Sequence, residues 1–231
     1  IIHFNQAFHG RSGYTLSLTN TSDPRKTMYF PMFDWPRIEN PKLFFPITDA
    51  VLEKVRAKEK QAMNQIKSSL QDHPHDIAAI IIEPIQGEGG DNHFRDEFMT
   101  SLRQICDENE MMFIMDEVQT GVGITGKWWA HEHFTSKPDI IAFGKKAQVC
   151  GMLSSNRVDE VTQNVFSESS RINSTFGGNL TDMVRFQLIL EIIINENLLE
   201  NAKKMGDILL TGIRDLEVEF PAFVTNARGL G

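Results

Sequence analysis

Met111-Met112-Phe113-Ile114-Met115-Asp116-Glu117-Val118-Gln119-Thr120-Gly121 is an unbroken apolar run closed by two acids. Ile140-Ile141-Ala142-Phe143-Gly144-Lys145-Lys146 has the same form, closed by two amines. A short apolar run bounded by polar residues reads as a strand buried on both faces. A third, Ile77 to Ile82, runs into Glu83-Pro84-Ile85-Gln86-Gly87-Glu88-Gly89-Gly90. Between the third run and the first, Arg95 to Glu108 places Phe98, Leu102 and Ile105 on one helical face. This alternation predicts an α/β fold with a mixed, mostly parallel sheet flanked by helices. Ligands of such sheets bind beyond the carboxyl ends of the strands, and the three polar clusters all fall there.

Working outward, residues 1–20 read as a strand or loop and then a short helix after His9-Gly10. Residues 21–48 hold five of the nine prolines and few periodic apolars, a long irregular excursion of the kind that is often functional. Val51, Leu52, Val55, Ala62, Met63, Ile66 and Leu70 recur at helical spacing from Asp49 to Leu70, with Lys and Glu on the other face. Gly151 to Ser154 is a further candidate strand. Met183, Val184, Ile189, Ile192 and Ile193 mark a helix from Asn179, and another spans Leu198 to about Val218, where Pro221 bars continuation. The chain starts at Ile1 in a strand-like run and stops at Gly231 inside a turn-like one, so both ends read as cut from something longer.

The 231 residues carry a net charge of -8, which excludes attraction to nucleic acid or anionic lipid. Hydrophobic residues make up 41%, enough for a sizeable core. No apolar run approaches the roughly 18 residues of a membrane span. Two cysteines, Cys106 and Cys150, lack a framework spacing and fit a reducing, cytoplasmic compartment. Cys150 is expected to be a buried, inert thiol.

A carboxylate and a lysine meeting at one sheet edge suit a pyridoxal phosphate enzyme, in which lysine holds the cofactor as a Schiff base and the acid partners its ring nitrogen. Glu83-Pro84-Ile85-Gln86-Gly87-Glu88-Gly89-Gly90, Asp116-Glu117-Val118-Gln119-Thr120-Gly121, Phe143-Gly144-Lys145-Lys146 and Asn173-Ser174-Thr175-Phe176-Gly177-Gly178-Asn179 together resemble the class III pyridoxal phosphate-dependent aminotransferases. The match is ordered and covers essentially the whole chain. Ala7-Phe8-His9-Gly10-Arg11-Ser12, Phe33-Asp34-Trp35-Pro36-Arg37 and Ala147-Gln148-Val149-Cys150-Gly151 are more similar to the lysine 6-aminotransferases than to the ornithine or 4-aminobutyrate enzymes.

The resemblance implies fold type I. Residues 1–196 would be part of the large cofactor domain, and 197–231 the start of a small C-terminal domain. Lys145 follows Gly144 as the reactive lysine does in the family. Neighbours at a strand end point to opposite sides, which leaves Lys146 as a surface or ion-pair lysine. Asp116 is expected at the pyridine nitrogen and Glu117 in a structural contact facing away. Gln119 would bind the phenolic oxygen, and Phe8 would stack on the ring, its alternative being a core position. Ser174 and Thr175 would serve the phosphate, Thr175 that of a neighbouring subunit, which implies a homodimer with shared sites. The family's other phosphate turn would lie upstream of Ile1.

Arg11 matches the position that grips the α-carboxylate of lysine, assisted by Asn173, although a plain surface arginine is the other reading. A guanidinium suits that task because it holds a carboxylate in a two-pronged fork. Glu88 resembles a gate that pairs with an arginine beyond Gly231 and yields it to 2-oxoglutarate. The implied reaction moves the ε-amino group of L-lysine to 2-oxoglutarate, giving 2-aminoadipate 6-semialdehyde and glutamate. Another ω-aminotransferase, on ornithine or 4-aminobutyrate, is the alternative, and a non-catalytic partial chain the rival of a different class. His73, His75, His131 and His133 lack the carboxylate or cysteine neighbours a metal needs. Gly87-x-Gly89-Gly90 has the wrong spacing for a dinucleotide site.

Overall fold

The computed structural model describes residues 1–231. In chain order the elements are β1 (His3–Phe4), α1 (Gly13–Leu18), β2 (Arg37–Ile38), α2 (Asp49–Asp72), β3 (Ala79–Ile82), α3 (Asp96–Glu108), β4 (Met112–Asp116), β5 (Ile140–Phe143), β6 (Gly151–Ser154), α4 (Leu180–Asn195) and α5 (Leu198–Glu219). β3, β4 and β5 run parallel, and β6 closes that sheet antiparallel to β5. β1 pairs in parallel with β2 and is tied to β3 by Ile2, whose N–H meets Ala79 O at 2.9 Å and whose carbonyl accepts from Ile81 N–H at 3.0 Å. The carboxyl ends of β1, β3, β4 and β5 therefore share one edge.

The core forms where α2 and α3 cover this sheet. Phe98, Leu102 and Ile105 of α3 and Ala62 and Ile66 of α2 meet Ile80, Ile82, Phe113 and Met115 in one buried cluster. Full burial of a side chain of this size contributes about 1.5–3 kcal/mol, so the α3 stripe is a principal anchor. α2 starts at Thr48, whose side chain accepts from Val51 N–H at 3.3 Å. Asp139 ties β4 to β5's entry. Its carboxylate accepts Phe113 N–H at 2.8 Å and the Arg103 guanidinium at 2.7 Å.

Three expectations change. Residues 21–48 hold a short strand, β2, recruited by pairing with β1 rather than by a pattern of its own. β5 is half-buried at every position, and β6 is largely exposed, because α2 and α3 cover the opposite end of the sheet. Phe186 of α4 and Trp129 reach Phe143 of β5, at ring-centroid distances of 5.6 and 5.9 Å. Cys150 is exposed, not buried, since it stands outside β5 on the turn into β6. Cys106 is the inert thiol, buried in the core with its pKa pushed up to about 12 by burial.

Candidate active site

The carboxyl ends of β1, β3, β4 and β5 lead into a cavity of about 550 Å³, bounded among others by Phe8, Glu83, Asp116, Gln119 and Lys145. β1 leads to Phe8 and His9, β3 to Glu83, β4 to Asp116 and β5 to Lys145. The acid at 116 and the amine at 145 thus face one space, as expected from their places beyond two neighbouring parallel strands.

Asp116 is 8% exposed. Its Oδ2 lies 2.8 Å from His9 Nδ1, and its Oδ1 accepts Val118 N–H at 3.0 Å. Glu117 turns to the other side and is fully engaged there. It accepts Ala130 N–H at 2.8 Å, His131 N–H at 2.7 Å and the Thr120 hydroxyl at 3.0 Å, and it meets His131 Nδ1 at 3.0 Å. Strand alternation separates the two acids as anticipated. His131 is accounted for by this contact.

The two lysines do not separate in that way. β5 ends at Phe143, and Lys145 opens a short 3-10 turn, Lys145–Ala147, with φ of 47°. A left-handed lysine costs about 1–3 kcal/mol and persists only where its surroundings impose it. On this turn both amines reach Gln119, although only Lys145 lines the cavity. Lys145 Nζ donates to Gln119 Oε1 and Lys146 Nζ to the Gln119 carbonyl. Lys145 is exposed toward the cavity. Lys146 is half-buried, and burial lowers its pKa, with the Lys145 charge adding to the effect. Gly87 makes room for Gln119, because a Cβ there would sit 2.9 Å from Gln119 Cδ.

Phe8 borders the cavity, and its backbone N–H donates to Glu83 Oε1 at 2.8 Å. Glu88 borders it too, exposed and paired with Lys26 of the excursion at 2.5 Å. Arg11 is exposed beside Gly10, makes no ion pair and does not line the cavity. Ser174 lines a second space of about 510 Å³ that also includes Lys145, whereas Asn173 and Thr175 are exposed and line neither. A larger cavity, about 640 Å³, lies by α5 and Gly229–Gly231 and holds none of the strand-end groups.

Two site residues had no assigned role in the sequence reading. His9 is the partner of Asp116, with its side chain 1% exposed. Glu83 carries a signal of its own, since it follows an apolar run just as Asp116 does.

The family model "Aminotransferase class-III" matches residues 1–231. The chain is 51% identical to the L-lysine-epsilon aminotransferase of Mycobacterium tuberculosis over 231 residues, covering 100% of this chain and 51% of that protein. It is 47% identical to the enzyme of the same name from Amycolatopsis lactamdurans, again over 100% of this chain and 51% of the other. Among solved structures, the lysine aminotransferase from M. tuberculosis in the internal aldimine form superposes with a TM-score of 0.95 at 51% identity, covering 100% of this chain and 52% of that one. The chain spans about half the length of the curated relatives it matches.

Proposed function

Because the chain belongs to the class III aminotransferases, we propose that its cavity binds pyridoxal phosphate and carries the transfer of the ε-amino group of L-lysine to 2-oxoglutarate, giving 2-aminoadipate 6-semialdehyde and glutamate. The observation that carries this reading is that buried Asp116 and Lys145 line one cavity together with Phe8. Those residues fit the cofactor, with an acceptor for a ring N–H, an amine for an aldehyde and an aromatic face for a flat ring. When bound, pyridoxal phosphate supplies the aldehyde and a conjugated ring that takes up electrons.

The chain's own groups then have separate tasks. Asp116, oriented by His9, holds a proton at the pyridine nitrogen, since a neighbouring opposite charge favours the charged ring. Lys145 Nζ would hold the cofactor's aldehyde end and would be the base that moves the proton at the substrate carbon. Gln119 holds the phenolic oxygen while keeping Lys145 in place. Ser174, near Lys145 in the adjoining space, serves the phosphate, and outward-facing Thr175 serves that of a second copy, in a homodimer with shared sites.

Arg11 and Asn173 are the proposed grip on the lysine α-carboxylate, and their exposure leaves them open to an incoming substrate. Glu88, held only by an exposed lysine, is free to exchange partners as a gate. Residues 1–196 are proposed as part of the large domain and 197–231 as the start of a small one. No helix is long and apolar enough to cross a membrane, and two free cysteines support a cytoplasmic setting.

Adding pyridoxal phosphate should produce an absorbance band at about 420 nm that is absent in Lys145→Ala. Amino transfer assayed with lysine, ornithine and 4-aminobutyrate tests the substrate. Turnover of ornithine but not lysine would overturn the lysine assignment, and no band at all would leave a non-catalytic chain.

A further inference from the structure

β3 ends in a carboxyl to which the scheme above gives no task. Glu83 follows Ile82 directly, is 5% exposed, and borders the same cavity as Asp116 and Lys145. Its Oε1 accepts the Phe8 N–H at 2.8 Å, across 75 residues of sequence. The Gly87 N–H faces the same carboxyl from the turn that carries Glu88. Its titratable neighbours are His9 and Asp116. His9 Nε2 is buried without a partner, while Nδ1 of the same ring is committed to Asp116.

The carboxyl therefore bonds the backbone on one side of the cavity and faces the backbone on the other. On one side lies the segment that seats Phe8 and His9, and on the other the turn that leaves room for Gln119. A carboxyl is a costly choice for a spot this dry. Burial raises its pKa to about 7, opposed by the charge of His9 and the two N–H groups and reinforced by Asp116. An apolar residue would pack at β3's end at no such cost, but it would leave the Phe8 N–H without an acceptor.

We propose that Glu83 is a positioning residue: its carboxyl fastens the Phe8 N–H, and so sets the Phe8 ring and the His9–Asp116 pair against pyridoxal phosphate. The proposal rests on the cofactor reading given above. It assigns Glu83 no contact with substrate.

The test compares Glu83→Ala, Glu83→Asp and Glu83→Gln with the unaltered chain. Pyridoxal phosphate is titrated by quenching of tryptophan fluorescence, and melting of each cofactor-free protein is measured alongside. Loss of the acceptor should weaken cofactor binding about tenfold in Glu83→Ala, and similarly in Glu83→Asp, whose carboxyl is drawn back from Phe8. Glu83→Gln keeps an acceptor oxygen at full reach and should stay within about threefold. Phe8→Ala added to Glu83→Ala should cost less than Phe8→Ala alone, because both changes act through one ring. Glu83→Asp and Glu83→Gln decide the matter if the alanine variant does not fold. Equal binding by Glu83→Asp and the unaltered chain, or losses at 8 and 83 that simply multiply, would overturn the proposal alone. An unaltered chain that binds no cofactor would overturn both the proposal and the reading beneath it.

Discussion

His9 Nδ1 stands 2.8 Å from Asp116 Oδ2, joining the segment after β1 to the end of β4 across 107 residues of sequence. The histidine side chain is almost wholly enclosed. Asp116 therefore meets the cavity in an imposed orientation, and a carboxylate free to rotate would spend part of its time turned from any ring nitrogen. His9→Ala removes that restraint. Losing a buried contact of this kind costs about 1–3 kcal/mol, and cofactor affinity should fall roughly tenfold. Equilibrium titration with pyridoxal phosphate measures it, and unchanged affinity would show that Asp116 needs no orienting partner.

The two lysines should differ completely in spectroscopy despite sharing Gln119. Lys145→Ala should abolish the visible band, whereas Lys146→Ala should retain it and lose only the contact with the Gln119 carbonyl. A band that survives at 145 and vanishes at 146 would reverse the assignment.

Glu117 is a test of stability rather than chemistry. Glu117→Ala leaves the Thr120 hydroxyl and the N–H groups of Ala130 and His131 without their acceptor. Removing one partner of a buried charged network costs about 3–5 kcal/mol. Urea unfolding should show a loss of that order, with Glu117→Gln intermediate. A loss below about 1 kcal/mol would mean water replaces the carboxylate.

Glu83 gives a pH dependence with a definite sign. Its folded pKa, about 7, lies above the ordinary value of 4.5. The folded state then binds the proton more tightly than the unfolded one, so this group's contribution to stability is fully present below pH 4.5 and lost as pH rises through 7. His3 and His93 pull the other way. Burial lowers both to about 4, so their contribution is lost as pH falls from 6.5 toward 4. Comparing Glu83→Gln with the unaltered chain cancels the histidines. The variant's relative stability should climb by roughly 3 kcal/mol from below pH 4.5 to above pH 7. A difference that stays flat with pH would show that Glu83 ionises as freely folded as unfolded.

Gly87→Ala should leave folding intact and disturb the site. The added methyl meets the end of the Gln119 side chain, which can move, but only by leaving Lys145. One lost hydrogen bond predicts about fivefold weaker cofactor binding with little change in melting temperature.

Much of this architecture could be read before any coordinates. The runs at Ile77, Met111 and Ile140 became adjacent parallel strands, and the polar residues that end them became one cavity. Periodicity carries that information because buried strands cannot accommodate polar residues. What escaped the sequence reading has a common origin in contacts between distant segments. β2 is two residues long and exists only through its pairing with β1. His9 and Glu83 acquire roles from partners 107 and 75 residues away. The rule of opposite sides held for Asp116 and Glu117, where the first acid still lies on β4. At Lys145 and Lys146 the chain has already left β5 for a turn, so both amines reach Gln119, yet Lys145 alone of the two lines the cavity. Cys150 departs from expectation for a similar reason, its exposure being set by a bend rather than by composition.

Depth around the cavity sorts these side chains by their tolerance of change. Glu83 and Asp116 are buried against it and Glu117 is buried on the side facing away, each tied to other parts of the chain, whereas Glu88 stands at its exposed border and Arg11 in solvent next to Gly10, both with few obligations. Random mutagenesis at the outer positions can explore new amine donors without endangering the scaffold. The same dose of change at the buried positions would mostly return unfolded protein, so a search for altered selectivity belongs at the exposed ones.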